Sequence, residues 1–349
     1  MIVRARAPLR LSFGGGGTEL SPYLDMFGGH VLNSTINLHA YATLAPSPDG
    51  KVHFIAADKG ETVICDALDQ LSIEQGLPLH CGVYNRIVRE YNGGKPIPLT
   101  LTTMCEAPIG SGLGSSSTLT VAMLKAYDEY LGLALGEYDL AHLAYQTERL
   151  DLGLSGGMQD QYSAAFGGFN FIEFHSLEHV IVNPLRVRHW IVSELESSLV
   201  LYYTGTSRQS AELIVEQTRE INAASTERVE RLHRIKALAV DMKTMLLKGD
   251  LTGFGKTLDR SWMEKRQMSA NISNSEIDRI YERAKDNGAI GGKITGAGGG
   301  GFMMLLCDPA RRMDVLRVLG AEDGKIFSCG FLDHGAHSWR IYDGQKNKN

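Results

Sequence analysis

The run Pro108-Ile109-Gly110-Ser111-Gly112-Leu113-Gly114-Ser115-Ser116-Ser117-Thr118 sets three glycines among small hydroxyl residues. Glycine lets a backbone approach a ligand closely. Leu119, Ala122, Met123, Ala126, Tyr127 and Tyr130 then recur at three- and four-residue spacing until Gly132, so the loop ends on the N-terminus of an amphipathic helix. Unpaired N–H groups at such a terminus favour anions. The chemistry implied is phosphate binding, with a nucleotide or a phosphorylated metabolite as ligand. Two common phosphate loops are excluded. No lysine follows these glycines as a Walker loop requires, and Gly255-Lys256-Thr257 has Asp250 where the first glycine belongs. Counting from Gly110 and Gly112, the third glycine of a dinucleotide fingerprint is replaced by Ser115.

The elements that must hold this loop come from a chain of 349 residues, 43% hydrophobic and 21% charged, enough for a large core in one or two domains. A net charge of −5 argues against general nucleic-acid or anionic-membrane binding. It also requires any anion site to be locally basic. The five cysteines, Cys65, Cys81, Cys105, Cys307 and Cys329, are scattered without a C-x-x-C pair. Reduced thiols in a cytoplasmic protein are expected. Arg4, Arg6, Pro8 and Arg10 interrupt any secretory leader, and no apolar run is long enough to span a membrane.

Alternation predicts strands over 31–44 and 51–56, joined by the turn Pro46-Ser47-Pro48-Asp49-Gly50. A helix is expected over 82–91, and a strand over 99–105 feeds the phosphate loop. One helix is expected over 137–151, broken by Leu152-Gly153-Leu154-Ser155-Gly156-Gly157, then a short helix over 161–166 and a strand over 169–174. Beyond residue 190 the pattern becomes long helices (210–247, 251–268, 275–287) between strands at 198–203, 302–307 and 325–332, with a further helix from Pro309. The expected division is 1–190 and 191–343, with a polar tail at 344–349.

Two further glycine-rich segments accompany the phosphate loop: Ala7-Pro8-Leu9-Arg10-Leu11-Ser12-Phe13-Gly14-Gly15-Gly16-Gly17-Thr18-Glu19, and Lys293-Ile294-Thr295-Gly296-Ala297-Gly298-Gly299-Gly300-Gly301. Three such motifs in this order resemble the GHMP small-molecule kinase family over nearly the whole chain. The resemblance implies an α+β fold: an N-terminal domain like the second domain of ribosomal protein S5, a ferredoxin-like C-terminal domain, and ATP and substrate in the cleft between them. The first motif, Ser155-Gly156-Gly157-Met158-Gln159-Asp160-Gln161, Trp262-Met263-Glu264-Lys265-Arg266 and the form of the third motif resemble the branch acting on D-glycero-D-manno-heptose 7-phosphate. For that branch the implied reaction moves the γ-phosphoryl of ATP to the anomeric hydroxyl and yields the 1,7-bisphosphate, on the way to nucleotide-activated heptose for surface polysaccharide. The kinase half of bifunctional fucokinases is the next most similar pattern.

Phosphoryl transfer needs an aligned hydroxyl, a metal and positive groups around the moving phosphoryl. The resemblance assigns Asp160 as base or hydroxyl-orienting group; taken alone, that residue reads as a helix N-cap. Arg10 matches the basic residue facing the aspartate. Glu148, twelve residues before Asp160, matches a magnesium-ligand glutamate, and Ser116 (or Ser115) the hydroxyl ligand; oxygen donors of this kind suit Mg²⁺. The loop from Pro108 through Gly110, Ser111, Gly112, Leu113, Gly114, Ser115, Ser116 and Ser117 is the expected ATP cradle. Gly15, Gly16, Gly17, Thr18, Glu19, Gln159, Gly298 and Gly299 are expected at the substrate. For the sugar's own phosphate the candidates are Arg208, Lys265 and Arg266, and Trp262 reads as core rather than a stacking platform. A kinase for an unphosphorylated sugar such as fucose, and an ATP- and sugar-binding sensor on the same fold, are the alternatives. The expected partners are ATP and a sugar phosphate, with no nucleic acid or membrane, in a monomer or homodimer.

Overall fold

A computed structural model describes residues 1–108, 110–205 and 226–341 of the chain. The start of the helix expected from 210 and the tail at 344–349 lie outside the described residues. The first sheet contains β1 (Ile2–Gly14), β2 (Gly29–Pro46), β3 (Val52–Ala56), β4 (Glu61–Cys65), β5 (Leu99–Cys105), β6 (Phe169–Phe174), β7 (Val180–Pro184) and, from far along the chain, β12 (His337–Ile341). Its main path runs β12-β1-β2-β5-β3-β4, with β6 bridging β2 and β7. Every pair is antiparallel except β3 with β5. The second sheet is the antiparallel order β11-β8-β10-β9, built from β8 (Leu199–Tyr203), β9 (Ala289–Ile294), β10 (Phe302–Cys307) and β11 (Lys325–Phe327).

The helices are α1 (Tyr23–Phe27), α2 (Pro78–Tyr91), α3 (Ser115–Leu131), α4 (Glu137–Tyr145), α5 (Gln159–Phe166), α6 (His189–Ser198), α7 (Thr226–Lys248), α8 (Leu251–Arg266), α9 (Ser275–Asp286) and α10 (Arg312–Leu319). β1 shows how the layers are arranged. From Val3 to Ala7 inward residues alternate with more exposed ones, as on a sheet covered on one face; from Ala7 to Gly14 every residue is buried. There the strand runs between two layers. Leu9, Leu11 and Phe13 of β1 join Leu238, Ala239 and Met242 of α7, Phe254 and Leu258 of α8, and Phe302 and Met304 of β10 in one core. This shared core holds the two sheets at a fixed separation around the cleft.

The helix expected over 137–151 differs from the structure. α4 stops at Tyr145, and Gln146–Asp151 widens into a π-helical turn. Arg86 of α2 braces both ends of that turn: its Nε donates to Asp151 Oδ2 at 2.7 Å and Nη1 to Gln146 Oε1 at 2.9 Å. The wide turn buries Thr147 and Glu148, and π-turns recur at functional sites because they re-aim a side chain. The strand expected over 325–332 ends at Phe327, and the chain then crosses back so that residues 337–341 pair with β1. The expected second unit, 191–343, therefore contributes one strand to the first sheet. No element was expected at strands β1, β4, β7, β9 and β12 or at helices α1 and α6.

Phe254 packs edge-on to Phe13, with centroids 5.4 Å apart. Replacing Phe254 with Ala opens a cavity in the core both sheets share. The expected loss is about 3–5 kcal/mol of unfolding free energy, read from denaturant midpoints. A loss below about 1 kcal/mol would contradict the shared core.

Candidate active site

A cleft of about 350 Å³ opens between the three glycine-rich segments. One wall is the phosphate loop. Gly112 and Gly114 hold φ of 80° and 78°, a region open mainly to glycine. A Cβ at Gly112 would stand 2.5 Å from the Thr295 carbonyl oxygen, and one at Gly296 would stand 2.7 Å from the Gly112 Cα. The loop thus lies backbone against backbone on the third motif, and Phe302 N–H donates to the Ser111 carbonyl at 2.9 Å. Ser115, Ser116 and Ser117 open α3 and line the cleft. Their amides stand at the helix start, where N–H groups have no helical acceptor and the dipole favours anions.

Arg10 and Asp160 meet on the floor. The Nε and Nη2 atoms of Arg10 both reach Asp160 Oδ1, at 2.8 and 2.7 Å, while Nη1 donates to the Gly112 carbonyl at 2.5 Å. Arg10 is 4% exposed, so the guanidinium is desolvated, and its bonds to the partly exposed carboxylate are charge-assisted. Both guanidinium bonds fall on Oδ1. Oδ2 lies 3.2 Å from where a Cβ at Gly114 would stand, on the phosphate-loop side, and has no protein donor among the described residues. β1 changes register against β2 between Pro8 and Arg10 and again between Ser12 and Gly14; such irregularities re-aim side chains beside active sites.

Glu148, 1% exposed, accepts from Ser116 Oγ at 3.1 Å on Oε1 and from Gln161 Nε2 at 2.6 Å on Oε2. Gln161 Nε2 also donates to Ser117 Oγ at 3.1 Å. The nearest cation is Arg149, at 3.9 Å. A buried carboxylate held by neutral donors beside a hydroxyl, at the cleft wall, is a donor set that suits a hard divalent cation. Among the described residues no group of three or more His, Cys, Asp or Glu side chains could hold a metal ion, so phosphate oxygens and water must supply the rest of any shell.

The opposite wall carries Gly16, Gly17, Glu19, Gln159 and Lys265. Ser12 Oγ donates to Gln159 Oε1 at 3.0 Å. Glu19 accepts from the Gly17 amide at 2.7 Å. Burial raises the Glu19 pKa, and the Gly17 amide and Lys265 work in the opposite direction. Burial pulls Lys265 down to about 8, with Arg10 adding repulsion and Glu19 opposing.

Several expected residues face elsewhere. Pro108, Ser111 and Leu113 do not line the cleft: Pro108 is exposed, Ser111 is fully buried, and Leu113 joins the shared core while its carbonyl accepts from Arg10 N–H. Gly15 presses on the His30 carbonyl, and Thr18 spends its hydroxyl on Gly15 and His30, closing the turn rather than meeting a ligand. Gly298 and Gly299 turn to Ile272, whose carbonyl accepts from Gly299 N–H at 2.8 Å. The third motif reaches the cleft through Gly296 and Ala297 instead. Arg266 pairs with Asp278 at 2.6 Å and Arg208 lies outside the described residues, while Trp262 lies in the core as expected. Sequence reasoning overlooked Ser12, Arg149 and Gln161. Ser12 was findable, being two residues from Arg10 along a strand, where side chains share a face.

Replacing Gln161 with Leu removes the donor to Glu148 Oε2 while keeping the volume similar. The expected cost is about 1–3 kcal/mol of stability from a buried carboxylate losing its partner, read by chemical denaturation. A change below about 0.5 kcal/mol would assign Gln161 no part in holding Glu148.

Residues 71–168 match the GHMP kinases N terminal domain, and residues 238–325 match the GHMP kinases C terminal family. Over 339 residues the chain is 42% identical to the D-glycero-alpha-D-manno-heptose 7-phosphate kinase of Campylobacter jejuni, a match covering 97% of this chain and 99% of that protein. It is 26% identical over 342 residues to the L-fucokinase/L-fucose-1-P guanylyltransferase of Bacteroides fragilis, spanning 91% of this chain and 36% of the bifunctional protein. The crystal structure of a D-glycero-D-manno-heptose 1-phosphate kinase from Bacteroides thetaiotaomicron superposes with a TM-score of 0.83 at 43% identity, covering 98% of this chain and all of the other.

Proposed function

The chain belongs to the GHMP kinases, and on that premise we propose that it moves the γ-phosphoryl of ATP to the anomeric hydroxyl of D-glycero-D-manno-heptose 7-phosphate. The product is the 1,7-bisphosphate. The observation that carries the reaction is the setting of Asp160, whose Oδ1 is tied to Arg10 and whose Oδ2 is left toward the phosphate loop. The sugar is supported by near-full-length identity to an enzyme named for this heptose phosphate.

In this reading the triphosphate lies on the amides of Gly112, Gly114 and the first turn of α3. Asp160 Oδ2 accepts the hydrogen bond of the acceptor hydroxyl and takes its proton as the bond to phosphorus forms. Arg10 fixes the aspartate and, through the Gly112 carbonyl, fixes the loop that aims the phosphoryl. Much of the catalysis is therefore positioning, as expected for a loose phosphoryl-transfer transition state. Glu148 and Ser116 would hold Mg²⁺, which neutralises phosphate charge when bound. The wall from Gly16 to Glu19, with Gln159, would orient the sugar.

Incubation with ATP, magnesium and heptose 7-phosphate, followed by phosphorus NMR, should give a second, anomeric phosphate resonance with the 7-phosphate retained. Turnover confined to neutral sugars would overturn the proposed acceptor. Asp160→Asn should bind nucleotide yet lose about 10²–10⁴ of the rate. Unchanged turnover would remove Asp160 from the chemistry.

A further inference from the structure

Buried basic groups gather in and just behind the cleft floor. Arg10, Lys265 and Lys293 are 4%, 6% and 3% exposed, and the carboxylates among them are Asp160 and Glu19. Arg10 is committed to Asp160 and Gly112. Lys265 is not committed in this way. Its Nζ donates to the Gly296 carbonyl at 2.8 Å and stands 3.7 Å from where a Cβ at Gly16 would be. An ammonium has three donors, and this one spends one of them on protein. Its neighbours in sequence turn away: Glu264 pairs with Arg231 and Arg234, and Arg266 with Asp278. Of the Trp262–Arg266 stretch, Lys265 alone lines the cleft.

Behind it sits Lys293 on β9, buried, its ammonium without a hydrogen bond or ion pair among the described residues. Three groups act on it: Lys265, Arg10 and Glu19. A buried cation without a partner is costly, and the charge of Lys265 further lowers the proton affinity of Lys293. Both are pulled down here, Lys265 to about 8 and Lys293 well below the usual lysine range, burial being the larger cause in each. A dianion placed against Lys265 would offset the burial of its charge and favour the protonated form. Of the cations lining the cleft among the described residues, Arg10 belongs to the transfer centre and Arg149 stands beside Glu148. Lys265 is the one beside the Gly16–Glu19 wall.

We infer that Lys265, backed by Lys293, is the subsite that recognises the phosphate monoester carried by the acceptor. The inference rests on the sugar-phosphate kinase reading above. It makes Lys265 a specificity residue: the enzyme prefers a phosphorylated sugar because a buried ammonium waits for its phosphate.

The test compares wild type, Lys265→Met and Lys265→Arg on heptose 7-phosphate, on the same heptose without phosphate, and on ATP at saturating sugar. Lys265→Met should raise the KM for heptose 7-phosphate about 10–100-fold, the loss of a charge-assisted hydrogen bond. It should also collapse the kcat/KM ratio between the phosphorylated and plain sugars, a ratio that misfolding would leave unchanged. In wild type, kcat/KM for heptose 7-phosphate should fall above about pH 8 as Lys265 loses its proton; Lys265→Arg, which stays charged, should carry activity to higher pH. A ratio unchanged in Lys265→Met, or a rise confined to the KM for ATP, overturns the subsite. Wild type that phosphorylates plain heptose but no sugar phosphate overturns the acceptor reading itself, and with it the subsite.

Discussion

Two segments of backbone touch where Gly112 meets Thr295 and Gly296, and the architecture of the cleft depends on that contact. Neither position has room for a Cβ. The Ser111 carbonyl completes the seam by accepting from Phe302 N–H. The seam brings the helix start at Ser115 and the end of β9 within reach of one ligand. It also gives the Arg10 guanidinium a carbonyl to hold at Gly112, so the loop and Asp160 are tied through one side chain. A fixed backbone with unpaired amides is the arrangement that stabilises developing phosphate charge without reorganisation.

Much of this was legible in the residues themselves. The loop-then-helix pattern predicted α3 and its stop at Gly132, and the strand 302–307 was found with the bounds the structure has. What could not be read was which neighbour each small residue meets. Gly296 and Gly299 look alike in sequence, yet one lines the cleft and the other bonds Ile272. Thr18 and Ser116 carry similar hydroxyls. Thr18 closes its own turn, while Ser116 reaches a carboxylate thirty-two residues away. The π-turn at Gln146–Asp151 was hidden for a related reason: its apolar spacing is that of an ordinary helix, and Arg86, which holds it open, comes from a distant helix.

The cleft gathers distinct charge arrangements. Glu148 and Ser116 share a hydrogen bond, Asp160 is compensated by Arg10, and Lys265 acts electrostatically on Glu19. Charges of both signs are buried within a small volume, where screening by salt is weak. A chain with a net charge of −5 can therefore hold polyanionic ligands, because the positive groups are gathered where water is scarce.

β12 lies along β1, the strand that carries Arg10, and Arg6 Nε meets His337 across 331 residues of chain. On a ribosome the first sheet therefore lacks its outer strand until residues 337–341 have emerged. A nascent or prematurely ended chain would expose β1 as an open edge, a template for pairing with other chains. Docking of residues 337–341 thus closes that edge along Ile2–Arg6, in the strand whose later residues include Arg10.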